Sequence, residues 1–244
     1  MSAPIRIAMW SGPRNISTAM MRSFGARSGC AVSDEPFYGA FLKATGEDHP
    51  MVAETIADMD CDWASVTATQ SGPIPRGKRV WYQKHMPHHM VGPVSMADFP
   101  EHRHAFLIRA PERVVASYAA KNELRRPELL GFAQLRTYFE AEAERTGEAP
   151  PVIDTDQVLS DPERVLSRLC TALGLAWDPA MLSWEKGPHA QDGVWGAHWY
   201  DKVNASTGFG PPRGALPVLE GDYLAVAEAC RADYEALQRY AITA

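Results

Sequence analysis

The chain is short of positive charge: 24 lysines and arginines stand against 30 aspartates and glutamates, giving a formal net charge of −6. That balance argues against nucleic acid as a partner, while leaving room for a local basic pocket that holds a nucleotide. Nowhere does a run of about 20 apolar residues occur, so nothing reads as a membrane span. Cysteines number only 4, at Cys30, Cys61, Cys170 and Cys230, and none shares a paired spacing with another. Such scatter excludes a disulfide framework and fits reduced thiols in a cytoplasmic protein. Met1-Ser2-Ala3-Pro4 runs straight into the first apolar strand, so a secretory leader is not expected. Internal repeats and low-complexity segments are lacking as well. The 244 residues, 45% of them hydrophobic, suffice for one α/β domain spanning 1–244 with a sizeable core.

Hydrophobic patterning predicts strands near 5–10, 30–33, 79–84, 104–109 and 151–154. Helices are expected at 17–27, 51–69, 112–122, 131–146, 161–173 and 222–240, with a long loop before the last. Strands that alternate with helices imply a mainly parallel sheet covered on both faces, a three-layer sandwich with ligands at the strands' carboxyl ends. The helix from 161 is the best marked. Asp161 serves as N-cap, Pro162 takes the first position, Leu166, Leu169, Cys170 and Leu173 share one face, and Gly174 stops it.

The most informative stretch is Ile5 to Thr18, an apolar strand, the polar loop Gly12-Pro13-Arg14-Asn15-Ile16, and a helix start at Ser17-Thr18. Unpaired backbone N–H groups and the positive end of the helix dipole make such a turn a cradle for an anion. A nucleotide-triphosphatase loop, G-x-x-x-x-G-K-[ST], would place its second glycine at Ser17 and its lysine at Thr18, and both are missing. The cation sits early instead, at Arg14.

At this point the chain resembles the sulfotransferase superfamily. Pro13-Arg14-Asn15-Ile16-Ser17-Thr18 is similar to that superfamily's 5′-phosphosulfate loop, with Ile16 where glycine is usual. Arg109, Pro111 and Ser117 fall on its 3′-phosphate motif, R-x-P-x-x-x-x-x-S. Lys84-His85-Met86-Pro87 looks like the strand end that carries a catalytic histidine in cytosolic members. The resemblance implies a P-loop NTPase-like sandwich that moves a sulfuryl group from 3′-phosphoadenosine 5′-phosphosulfate to a hydroxyl or amine of a small acceptor, without a metal. Arg14, Asn15, Ile16, Ser17 and Thr18 would hold the 5′-phosphosulfate, with Arg14 also stabilising charge on the leaving phosphate. Arg109 and Ser117 would hold the 3′-phosphate, joined by Lys202 and Arg213 from a late segment.

His85 is the expected general base, since an imidazole titrates near neutrality. Glu35, after the second strand, is its rival, needing burial to raise its pKa. Bland readings stand beside these. Arg109 could cap a sheet edge and Ser117 back-bond its own helix, Glu35 could belong to a simple loop cap, and His88 and His89 lack a carboxylate or cysteine at metal-ligand spacing. Gly193 to Lys202 reads as a loop whose Trp195 and Trp199 pack rather than bind. A magnesium-dependent phosphotransferase of the same fold and a non-catalytic nucleotide-binding protein are the alternative functions.

Overall fold

A computed structural model describes residues 3–120, 124 and 126–243. The strands are β1 (Ile5–Ser11), β2 (Cys30–Asp34), β3 (Val80–His85), β4 (Arg103–Ile108) and β5 (Val152–Asp154). They form one five-stranded parallel sheet in the order β2-β3-β1-β4-β5, flanked by helices. Ile7 to Trp10 and Ala105 to Ile108 are wholly buried. Continuous apolar runs of this kind, rather than alternating ones, mark strands covered on both faces. The helices are α1 (Ser17–Ala26), α2 (Tyr38–Thr45), α3 (Val52–Asp58), α4 (Trp63–Ser71), α5 (Pro111–Ala119), α6 (Phe132–Thr146), α7 (Thr155–Ser160), α8 (Pro162–Ala172), α9 (Gly196–Trp199), α10 (Asp201–Asn204) and α11 (Gly221–Gln238).

The chain gathers into two compact units. The first comprises Met1–Met9, Thr18–Arg103 and Asp178–Phe209. Here β2 and β3 pair in parallel, from Cys30↔Val80 to Asp34↔Lys84. Met20, Met21 and Phe24 form the buried stripe of α1, and Phe24 stacks on Tyr82 with ring centroids 4.4 Å apart. A second aromatic core joins Tyr38, Phe41 and Leu42 of α2 to Trp195 and Tyr200. Trp195 therefore packs, as the sequence suggests, but its segment is not the expected loop: α9 and α10 lie within it. Gly193 is needed there because a Cβ would meet the Trp195 ring at 2.0 Å.

The helical stretch expected over 51–69 divides into α3 and α4. Asp60 accepts from the Asp62 N–H and Asp62 caps Ser65, so aspartate side chains replace the backbone bonds a continuous helix would make.

The second unit comprises Trp10–Ser17, His104–Trp177 and Gly210–Ala244. β4 and β5 pair in parallel from Phe106↔Val152 to Ile108↔Asp154. Asp161 caps α8 by accepting from the Arg164 N–H at 3.1 Å, and Val165, Leu166, Leu169 and Cys170 are buried along one face. Gly174 takes the left-handed conformation that ends the helix, with φ 62°. Each such aliphatic side chain contributes about 1.5–3 kcal/mol by leaving water. α11 lays Val226, Ala227, Cys230, Tyr234 and Leu237 along its inner stripe. α5 ends at Ala119, and residues 121 and 122 of the helix expected over 112–122 lie outside the described residues. α7 was not legible in the sequence, being a single six-residue piece begun by Asp154, which accepts from the Asp156 N–H.

Candidate active site

In the second unit the loop after β1 is held from several sides. A Cβ on Gly12 would come within 2.3 Å of the Leu130 carbonyl oxygen, so only glycine allows that approach. Asn15 Nδ2 donates to the Leu107 carbonyl at 3.2 Å, and Thr155 Oγ1 bonds the Asn15 carbonyl at 3.2 Å and that of Ile108 at 3.1 Å. Arg14 and Ile16 adopt φ of 63° and 56°. A left-handed conformation costs a non-glycine residue about 1–2 kcal/mol, and it persists where surrounding bonds over-determine it. Ile16 thus takes up, under strain, the backbone shape that glycine would adopt freely.

Two motifs far apart in sequence meet at this loop. Arg14 Nε donates to Ser117 Oγ at 3.1 Å, and Arg109 donates to the Arg14 carbonyl at 2.6 Å. Arg113 in turn donates to Asp156 at 2.8 Å and to the carbonyls of Gly214 and Ala215. Those contacts anchor the segment that carries Arg213. Burial first, then Arg213, Arg113 and Arg14, press the Arg109 pKa down to about 10, with Asp156 opposing them. Arg109 stays cationic at neutral pH, and guanidinium groups gathered in this way have the chemistry to suit an anion of more than one charge.

In the first unit Thr18, the residue after Ser17, accepts a hydrogen bond from Lys84 Nζ at 3.1 Å. Lys84 is only 1% exposed, and its ammonium also meets Asp34 Oδ1 at 2.9 Å, Glu35 Oε1 at 2.7 Å and the Tyr200 hydroxyl at 2.7 Å. Burial alone would lower the Lys84 pKa, but Asp34 and Glu35 hold it well above the ordinary lysine value. Glu35 has the strained φ of 44° and sits where β2 ends. Its pKa is raised, mainly by burial, with Lys84 opposing and Asp34 adding to the rise. Neither Asp34, Lys84 nor Tyr200 was singled out from the sequence. The available signal was an acidic pair ending one strand and a lysine near the end of the next.

His85 lies elsewhere on β3. Successive strand residues face opposite sides, so Lys84 shares its face with Tyr82 while His85 shares the other with Gln83. The imidazole is 1% exposed, its Nε2 is 3.1 Å from Gln83 Oε1, and Phe37 and Phe99 pack around it. His89 stacks between Tyr38 and Phe41, and burial holds its pKa well below the usual histidine value. Lys202 is exposed on α10, in the first unit. Among the described residues no cluster of histidine, cysteine and carboxylate side chains is arranged to hold a metal ion, and no helix is long and apolar enough to cross a membrane.

A parallel five-stranded sheet flanked by helices, its first strand followed by a tight turn and a helix, defines an α/β sandwich protein. The particular family follows: the family model described as "Sulfotransferase domain" matches residues 5–241, and the chain belongs to that family. Among solved structures, the sulfotransferase from Alicyclobacillus acidocaldarius shares the fold, with a TM-score of 0.56 at 12% identity over 99% of this chain and 98% of that one. Two curated relatives from Arabidopsis thaliana are similar in sequence. "Branched-chain-amino-acid aminotransferase-like protein 2" is 34% identical over 89% of this chain and 39% of its own length, and "protein 1" of the same description is 35% identical over 87% and 38%. The chain spans about two fifths of the length of these relatives.

Proposed function

We propose that this chain transfers a sulfuryl group from 3′-phosphoadenosine 5′-phosphosulfate to a hydroxyl or amine of a small acceptor. The observation that carries the reading is the meeting of Arg14, Ser117 and Arg109, with Arg213 and Arg113 close enough to depress Arg109. A donor with two separated phosphate groups matches that set, because forked guanidinium donors suit the 3′-phosphate while the loop and helix start suit the 5′ group. Arg14, Asn15, Ile16, Ser17 and Thr18 take the 5′-phosphosulfate, and Arg109, Ser117 and Arg213 take the 3′-phosphate. Lys202 is not needed for this assignment.

Catalysis is then positioning and charge stabilisation, with Arg14 placed to meet the charge that grows on the leaving phosphate. Proton removal falls to Glu35 rather than to His85. Burial gives Glu35 a raised pKa and so a stronger base than an ordinary carboxylate, and it shares Lys84 with the hydroxyl of Thr18. His85 faces Gln83 on the other side of the strand.

The test is transfer of label from 3′-phosphoadenosine 5′-[³⁵S]phosphosulfate to a panel of hydroxyl and amine compounds in buffer with chelator. Labelled sulfate on an acceptor, with stoichiometric release of adenosine 3′,5′-bisphosphate, is expected. Phosphate transfer from ATP that requires magnesium, with no sulfate transfer, would make the protein a phosphotransferase instead.

A further inference from the structure

Two adjacent carboxylates meet one buried lysine, and their surroundings differ. Asp34 uses both oxygens on fixed donors: Oδ1 accepts from Lys84 at 2.9 Å, while Oδ2 accepts from the Tyr200 hydroxyl at 2.7 Å and the Gly193 N–H at 3.2 Å. Tyr200 is itself fixed, since its hydroxyl oxygen also accepts from Lys84 at 2.7 Å and from the Trp195 indole N–H at 3.2 Å. Glu35 is held by Lys84 on Oε1 at 2.7 Å. Its other oxygen, Oε2, stands 4.0 Å from His89 Nδ1, beyond hydrogen-bond reach, and that buried nitrogen has no hydrogen-bond partner.

We propose that Asp34 is the standing counter-ion of Lys84, fixed in that role by Tyr200 and the Gly193 N–H, and that this leaves Glu35 with a carboxylate oxygen able to take a proton. The inference rests on the reading of Glu35 as the base. Asp34 is a positioning residue, acting on the reaction only through Lys84 and Glu35. The physical reason is charge sharing. With Asp34 in place, the lysine's positive charge is already compensated, and the second carboxylate can be neutral or ionised at modest cost. Without it, the whole charge falls on Glu35, which is then locked as a carboxylate and is a poorer base.

The groups facing Glu35 from the elements around it are Lys84 on β3, Asp34 on β2, Tyr200 at the α9–α10 junction and His89 in the turn Pro87–His89, with His85, His88 and His49 near His89. Burial keeps His89 well below its usual range, holds His88 at about 3 and lowers His49, while Lys84 and Tyr200 are held well above theirs. Among these groups, Asp34 is the one whose removal takes away a negative charge.

The experiment is Asp34→Asn in the full chain. The Glu35 carboxyl is titrated by ¹³C NMR, its resonance assigned by loss in Glu35→Gln, and the pH profile of turnover is measured alongside. Lys84 keeps Glu35 as partner in this variant, so the fold is expected to survive. The Glu35 midpoint should fall by roughly one pH unit or more, and the acid limb of turnover should fall with it. Asp34→Glu keeps the charge and should retain the wild-type midpoint, and it carries the test if Asp34→Asn fails to fold. An unchanged midpoint in Asp34→Asn, or a comparable fall in Asp34→Glu, overturns the proposal. A midpoint that falls while the acid limb stays in place supports the charge division and overturns the role of Glu35 as base.

Discussion

Glu35→Gln is expected to lower turnover by roughly 10²- to 10⁴-fold, the range for loss of a general base, while adenosine 3′,5′-bisphosphate still binds. Glutamine keeps the shape and the hydrogen-bond acceptor toward Lys84 but cannot take a proton. Because the base must be unprotonated to act, wild-type activity should rise with pH through the Glu35 midpoint, and that midpoint lies above the ordinary carboxylate range because the side chain is buried. His85→Gln is the companion variant. Its imidazole is enclosed with Gln83, Phe37 and Phe99, so the change should cost stability first and keep turnover within about tenfold, below the range for a lost base. Stopped-assay rates with a labelled donor decide between them. Collapse in His85→Gln alongside survival in Glu35→Gln would return the base to the histidine expected from the motif.

Arg109→Ala is expected to weaken adenosine 3′,5′-bisphosphate by roughly 10- to 150-fold, the worth of one lost charged hydrogen-bonding group at about 1.5–3 kcal/mol. Binding of 5′-AMP should barely change. The contrast arises because Arg109 is assigned to the 3′-phosphate alone, whereas Arg14 and the helix start serve the 5′ group. Arg109→Lys should restore little, since a point charge cannot replace the fork that both reaches the Arg14 carbonyl and presents donors to an anion. The fold itself should tolerate Arg109→Ala, because the residue is pressed by Arg213, Arg113 and Arg14. Thermal shifts by the two nucleotides, compared between wild type and variant, check this. Equal losses for both would show that Arg109 only shapes the loop.

What the sequence made legible is what depends on short-range pattern. The strand–loop–helix at Ile5 to Thr18, the cap and stop of α8 and the run of α11 are all local, and each stands close to where periodicity and capping residues put it. Arg109, just past the end of β4, and Ser117, on α5, both reach the loop at Arg14, a contact set by the short β4–α5 connection. Long-range electrostatics left little trace. Nothing in the letters shows that Tyr200 bonds Asp34, since that contact crosses more than a hundred residues through an aromatic core. For His85 a motif match and a suitable pKa point to the role of base, while strand alternation puts its imidazole beside Gln83 and gives the contact with the Thr18 hydroxyl to Lys84, one residue earlier. α2 escaped notice because it is short and follows the Asp34-Glu35-Pro36 turn, which reads as a loop.

On the proposed reading, the guanidinium cluster reads a 3′-phosphate on a nucleotide held by the loop at Arg14 to Thr18. Calorimetric titration of the wild-type chain in chelator, with adenosine 3′,5′-bisphosphate against 5′-AMP and against ATP with magnesium restored, decides the matter. The bisphosphate should bind at least tenfold more tightly than 5′-AMP, matching about 1.4 kcal/mol or more from the added phosphate, with no need of metal and with ATP–magnesium the weaker ligand. Equal affinity for the bisphosphate and 5′-AMP, or tight binding that appears only with ATP and magnesium, would contradict it.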